Sequence, residues 1–244
     1  MKGSILTHLL YNTSVTVYRS PGYTAQHSHC IFLAGESSVT ANESLLERIA
    51  ALLEPSIAKE NLPSFLIVSP AVKDWDAAYS PWPASIGDRH FDGQASDYFY
   101  QLQTEVLPQL KKLYSLPDHC LLSFAGYSLA GLAALYAMLH TTTFRCCASI
   151  SGSLWYPGWT DYLENHICTI DSESHVYLSL GKAEVKTRSA LMQSNKTCSE
   201  YTESLLKNRL GESSVLFEWN NGNHFFEIPQ RITKALIWLL NSTK

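Results

Sequence analysis

An α/β architecture with a mainly parallel central sheet and helices on both faces follows from three features of the chain. Apolar runs of strand length alternate with longer segments of helical period from about residue 60 to the end. The run Cys120 to His140, CLLSFAGYSLAGLAALYAMLH, reads as a buried strand, a sharp turn and a helix in immediate succession. With 244 residues, 45% of them hydrophobic, the chain is long enough to bury one sizeable core, and no repeat or low-complexity tract divides it. A single domain over residues 1–244 is therefore expected.

In chain order, Ser14 to Tyr18 and Ser28 to Ala34 read as strands that open the sheet with an antiparallel hairpin. Asn42 to Leu53 reads as a helix, Phe65 to Ser69 as a strand and Ser96 to Leu113 as a helix. The strand, turn and helix of 120–140 come next. Cys146 to Ser151 is then a strand, Trp159 to His166 a short helix, His175 to Leu180 a strand and Arg188 to Leu210 a helix. Ser214 to Asn220 is the last strand, and Phe226 to Leu240 the closing helix. Strands alternating with helices pair in parallel, because each helix crosses over a face of the sheet. Ligands of such sheets lie at the carboxyl ends of the strands. The loops that matter therefore start near Gly35, Pro70, Ser128, Ser151, Gly181 and Asn220.

The turn at Ser128 has the character of a nucleophile elbow. Leu121, Leu122 and Phe124 give a short apolar strand, and Gly126 and Ala130 keep the positions two before and two after the serine nearly free of side chain. The pattern usually ends in glycine; here Ala130 takes that place and Gly131 follows. Ala130, Gly131, Ala133, Ala134 and Ala137 form a small-residue face that lets the helix lie close on the sheet and aim its N-terminus at the serine. Taken alone, such a pattern also describes a glycine-rich turn before an ordinary helix.

A nucleophilic serine needs a base to take its proton and a carboxylate to orient that base. With an elbow, these follow the serine in the order acid, then histidine. Of nine histidines, His224 meets the requirement: it lies in the turn-rich NNGNHFF loop between the last strand and the last helix. His8, His27, His29, His90 and His119 precede the serine, His140 and His166 end helices, and His175 starts a strand at the far edge. The alternative for His224 is a loop residue that caps the closing helix. Glu184 is the candidate acid, since it follows the apolar strand VYLSL through Gly181-Lys182-Ala183 on the active edge. Asp171 and Glu173 precede that strand, and Asp161 and Glu164 belong to the short helix. The other reading of Glu184 is a solvated position in the charged KAEVK loop, which would leave a Ser-His dyad. The oxyanion formed by serine attack requires preorganised N–H donors. The Leu129 amide at the start of the elbow helix supplies one, and the loop Gly35-Glu36-Ser37, with Glu36 at its centre, is the expected source of the second, although no HGGG-type signature stands there.

The remaining features bound partners and location. A formal charge of −4, with lysines and arginines scattered, leaves no basic stripe for nucleic acid or an anionic membrane. The N-terminal apolar stretch is broken by Thr7 and His8, and no later segment has the length of a membrane span. A cytoplasmic location is expected. Six cysteines spread along the chain read as free thiols of a reducing compartment. His27, His29 and Cys30 resemble a metal cluster only in composition, because strand alternation sends Cys30 to the face opposite both histidines. Neither a metal nor another cofactor is expected. Trp75, Trp82 and Trp155 fall in loops of the active edge, where aromatic rings can hold an aryl or acyl group or simply pin the loops. Lys73, Lys182, Lys186 and Arg89 are candidate receivers of an acidic substrate or ordinary surface cations.

With elbow, acid loop and GNHF loop in order, the chain resembles the "Putative esterase" family of α/β-hydrolases, the group of enterochelin-type siderophore esterases and esterase D-like enzymes. Besides GYSLAGLAALY, the segments DWDAAYSPWPA (Asp74 to Ala84), SGSLWYPGW (Ser151 to Trp159) and SLGKAEVKT (Ser179 to Thr187) carry the likeness, which covers most of the chain. The resemblance implies an α/β-hydrolase fold, an esterase acting on a small-molecule ester, Ser128 as nucleophile and His224 as base. Its acid is less uniform, so Glu184 is carried over on its place in the chain. No inserted lid is visible between the strands of 146–151 and 175–180, so an open, shallow pocket is expected. An acyltransferase on the same fold and a non-catalytic binding protein on a hydrolase scaffold are the competing readings. The sequence leaves the natural ester and the oligomeric state open.

Overall fold

The computed structural model of the chain describes residues 2–34, 44–186 and 190–242. Its elements are β1 (Ser4–Leu10), β2 (Thr13–Arg19), β3 (Ser28–Leu33), α1 (Leu45–Lys59), β4 (Ser64–Pro70), α2 (Trp75–Tyr79), β5 (Ala84–Ile86) and β6 (Arg89–Phe91). They continue with α3 (Ala95–Gln101), α4 (Leu107–Tyr114), β7 (Leu121–Tyr127), α5 (Leu129–His140), β8 (Cys146–Ile150) and α6 (Trp159–His166). The chain closes with β9 (His175–Gly181), α7 (Ala190–Gln193), α8 (Asn195–Leu210), β10 (Val215–Asn220) and α9 (Ile228–Ser242). Eight strands form one sheet in the order β1-β2-β4-β3-β7-β8-β9-β10, and β5 and β6 make a separate small hairpin. From β4 to β10 the neighbours pair in parallel; β2 runs antiparallel to both β1 and β4.

Strand alternation divides the core into two layers. Cys30, Phe32, Leu66, Val68, Phe124, Cys147 and Leu178 pack on one face with α5 and the α3–α4 region. Ile31, Leu33, Phe65, Ile67, Ala125, Ala148 and Tyr177 face the other way, onto Leu46, Ile49 and Leu53 of α1 and Ile232, Leu236 and Leu239 of α9. Near-continuous apolar strands are what burial on both faces demands.

Three expectations are corrected. The opening hairpin is β1 with β2, in register Leu10↔Thr13, whereas Ser28–Leu33 is an interior strand parallel to β4 and β7. The two-residue turn is made by Tyr11 and Asn12, both at positive φ (45° and 60°), the backbone that closes a tight hairpin. The first helix starts later and ends later than the expected 42–53. Ser44 caps it by accepting from the Glu47 N–H at 3.2 Å while Glu47 accepts from the Ser44 N–H at 2.8 Å; Asn42 lies outside the described residues. It then continues through Pro55 to Lys59, since Pro55 and Ala51 are exposed and the carbonyl left unpaired by proline faces solvent. The expected helix of 188–210 is broken at Ser194 into α7 and α8. The segment 95–114 is helical as expected, with a π-helical stretch at Leu102–Val106 just before Pro108, whose ring cannot follow a regular turn. Among the described residues no helix is long and apolar enough to cross a membrane, and no group of three or more His, Cys, Asp or Glu could hold a metal ion.

Candidate active site

Ser128 stands between β7 and α5 at φ 59°, ψ −124°, a strained backbone for a residue with a side chain. Hydrogen bonds hold it there: its N–H donates to Ile150 O at 3.0 Å, and its carbonyl accepts from Gly131 N at 2.9 Å and Ser153 N at 3.0 Å. A Cβ on Gly126 would lie 2.0 Å from Ala130 O, so glycine is required before the elbow, and its absent side chain leaves room for the methyl of Ala130. On Gly131 a Cβ would lie 2.9 Å from Gly152 Cα, which shows how closely α5 approaches the loop after β8.

His224 and Glu184 reach Ser128 from the ends of β10 and β9. His224 Nε2 lies 3.0 Å from Ser128 Oγ, and His224 Nδ1 lies 2.8 Å from Glu184 Oε2. A carboxylate only accepts, so Nδ1 carries the proton and Nε2 is free to receive the serine hydroxyl's. The imidazole is 31% exposed and the carboxylate 6%, so the ring faces the cleft while the carboxylate is buried behind it. Burial opposes ionisation of Glu184, but hydrogen bonds from His224, from the Ser151 hydroxyl at 2.8 Å and from the Gly181 N–H at 2.7 Å outweigh it and hold the carboxyl below its ordinary range.

Leu129 lines the cleft and is the first residue of α5, so its N–H has no acceptor within the helix and is available to an oxyanion. Glu36, expected beside the second donor, lies outside the described residues. The cleft of about 520 Å³ takes Ser128, Glu184 and His224 together with Trp75 and Trp155, as well as Arg89, Lys186 and Phe225. Trp82 instead donates from Nε1 to Pro157 O at 2.9 Å and packs on Tyr156 and Tyr162, which makes it a pin between loops. Lys73 lines a different cavity, beside Tyr11 and Tyr98. Arg89 is held by Asp76 through two hydrogen bonds, 2.8 and 2.5 Å.

Sequence reasoning did not find the groups behind Glu184. Ser151 at the end of β8, Tyr127 at the end of β7 and Arg231 in the first turn of α9 all converge on Glu184 or on the His224 loop. One signal was present for Arg231: it occupies the buried stripe of α9 with Ile232, Ala235 and Leu239, a place where an arginine is out of character.

An elbow serine, a loop histidine after the last strand and a carboxylate after the preceding one, on a mostly parallel sheet with a single antiparallel strand inside it, define an α/β-hydrolase. The chain belongs to the esterase family described as "Putative esterase", whose model matches residues 17–228. It is 24% identical over 255 residues to the "Uncharacterized protein YbbA" of Bacillus subtilis, covering 100% of this chain and 99% of that protein. A shorter stretch of 64 residues is 42% identical to an iron(III) enterobactin esterase of Escherichia coli O6:H1, spanning 25% of this chain and 16% of that enzyme. Among solved structures, the siderophore hydrolase EstA from Aspergillus nidulans is similar with a TM-score of 0.76 and 12% identity, covering 100% of this chain and 95% of its own.

Proposed function

We propose that this esterase-family protein hydrolyses a small-molecule carboxylic ester through an acyl-enzyme on Ser128, with His224 as general base and Glu184 as the orienting acid, the chain acting as one domain. The observation that carries the reading is the unbroken line from Ser128 Oγ to His224 Nε2 at 3.0 Å and from His224 Nδ1 to Glu184 Oε2 at 2.8 Å. Ser128 Oγ attacks the ester carbonyl as its proton passes to His224 Nε2. The imidazolium is balanced by Glu184, and the oxyanion is met by the Leu129 N–H. Collapse of the tetrahedral intermediate expels the alcohol, which takes the proton from His224. Water then repeats the sequence on the acyl-enzyme and frees the acid.

Trp75 and Trp155 favour an ester with a flat aromatic part, and Arg89 and Lys186 favour one that carries negative charge. The iron(III) enterobactin esterase among the similar proteins makes enterobactin the first ester to assay. Six cysteines, none of them in a disulfide and four of them buried, support a reducing, cytoplasmic setting. Treatment with a fluorophosphonate probe followed by peptide mass spectrometry tests the assignment. The adduct is expected on Ser128 and is expected to vanish in Ser128→Ala along with p-nitrophenyl esterase activity. An adduct on another serine, or full activity in Ser128→Ala, overturns it. If added alcohol diverts the acyl group at the expense of free acid, the enzyme is an acyltransferase.

A further inference from the structure

Arg231 is 2% exposed and sits in the first turn of α9, where two physical costs meet. A guanidinium taken out of water must have its N–H groups matched, and a cation near a helix N-terminus opposes the helix dipole. An aliphatic side chain of similar volume would pack there at lower cost. Nε has no partner among the described residues, but five acceptors lie within hydrogen-bond distance of the four N–H groups on Nη1 and Nη2, one of them shared, and their placement shows what the charge is used for. Nη1 donates to Glu184 Oε1 at 3.0 Å, to Ser151 Oγ at 3.0 Å and to Tyr127 Oη at 3.2 Å. Nη2 donates to Asn221 O at 2.6 Å and Asn223 O at 2.9 Å, the two carbonyls that flank Gly222 in the loop carrying His224. The Tyr127 hydroxyl completes the frame by donating to the carbonyl of His224 itself.

We infer that Arg231 is a positioning residue for the reaction, a clamp that locks the acid loop after β9 and the histidine loop after β10 at one fixed separation. The inference rests on the Ser128–His224–Glu184 reading. Its geometry is specific. Glu184 Oε1 is occupied by Arg231, Ser151 and the Gly181 N–H, so the carboxylate cannot rotate and Oε2 alone is presented to His224. A lysine could keep the positive charge but could not bridge both loops, because an ammonium lacks the planar fork.

The charge has a second consequence. A buried cation beside Glu184 favours the ionised carboxylate, and its removal raises the proton affinity of the carboxyl that pairs with His224. The other groups facing the pair are Tyr127 from β7 and Ser151 from β8, with Arg89 and Lys186 lining the same cleft; replacing Arg231 takes a donor from Tyr127 and Ser151 but leaves the charges of Arg89 and Lys186 in place.

The test compares native protein, Arg231→Gln, Arg231→Lys and Ser128→Ala for kcat and KM on a p-nitrophenyl ester from pH 5 to 9, with a thermal melt of each. Arg231→Gln is expected to keep KM, to lose about 10²-fold in kcat from misplacement of the base, and to move the acid limb of kcat/KM upward by about one pH unit or more. Arg231→Lys is expected to leave the acid limb near its native position while kcat falls by a smaller factor. Native-like kcat and an unmoved limb in both variants, with Ser128→Ala inactive, overturn the clamp and leave the triad standing. A kcat loss that tracks the melting temperature with no movement of the limb, or failure of both variants to fold, overturns it as well by making Arg231 purely structural. Retained activity in Ser128→Ala is a separate failure, of the triad itself, and takes the clamp with it.

Discussion

Replacing Glu184 by glutamine changes one atom and removes one charge, and the surroundings decide how the new amide must sit. Three donors converge on Oε1, from Gly181 N–H, the Ser151 hydroxyl and Arg231 Nη1, so the amide oxygen has to stay there. The amide nitrogen then faces His224 Nδ1 across 2.8 Å. Two N–H groups cannot point at each other, so the imidazole proton moves to Nε2, the atom that must accept from Ser128. The base is lost through its tautomer while the geometry survives. A wrong-tautomer change of this kind costs about 10⁴-fold in kcat in the serine proteases, or about 5.5 kcal/mol of barrier. Removing one member of a buried ion pair typically destabilises by about 3–5 kcal/mol. Here the cost is expected to be lower, since Arg231 retains Ser151, Tyr127, Asn221 and Asn223 as acceptors. The assay is steady-state hydrolysis of a p-nitrophenyl ester by purified Glu184→Gln, with a thermal melt to show that the protein is folded at the assay temperature. Activity within about tenfold of native, only about 1.4 kcal/mol of barrier, would refute the reasoning and leave a Ser-His dyad.

Two further outcomes follow from the packing. Trp155→Ala is expected to lower kcat/KM about fivefold for aryl esters, equivalent to about 1 kcal/mol of lost ring contact, and to leave short alkyl esters unchanged. Unlike Trp75, which also packs on the core beside Tyr79, Trp155 can be removed with little effect on the fold; an equal loss on both ester types would discard the substrate role. His29 is buried in β3 with Nε2 2.6 Å from Ser123 Oγ, and burial pushes it down to about 3, so it stays neutral in the folded protein while the unfolded chain binds a proton below about 6.5. The stability it contributes is complete above that value and is lost as pH falls, by about 2 kcal/mol between pH 7 and pH 5. Urea midpoints measured across that interval should fall less steeply in His29→Gln, and an identical slope would contradict the assignment.

The family model and the fold were within reach of the sequence because their signals are local. The run from Leu121 through Gly126 to Ala137 specifies a buried strand, a backbone reversal and a close-lying helix through neighbours a few residues apart, and the NNGNHFF loop is marked by its turn residues before an amphipathic helix. Chain order then ranks His224 and Glu184 among the other histidines and carboxylates, as it requires only knowing which edge of the sheet each strand ends on. Ser4–Leu10 was not legible, since an edge strand without strict alternation owes its conformation to the seven residue pairs it makes with β2. Nor was the path of the first helix past Pro55, which depends on that face meeting solvent rather than on propensity. The grouping of Tyr127, Ser151 and Glu184 about Arg231 joins positions 104, 80 and 47 residues apart. No spacing encodes such a meeting. It exists because parallel strands bring their carboxyl ends to one edge, so only the closed sheet, with α9 packed beneath it, decides which side chain stands behind the acid.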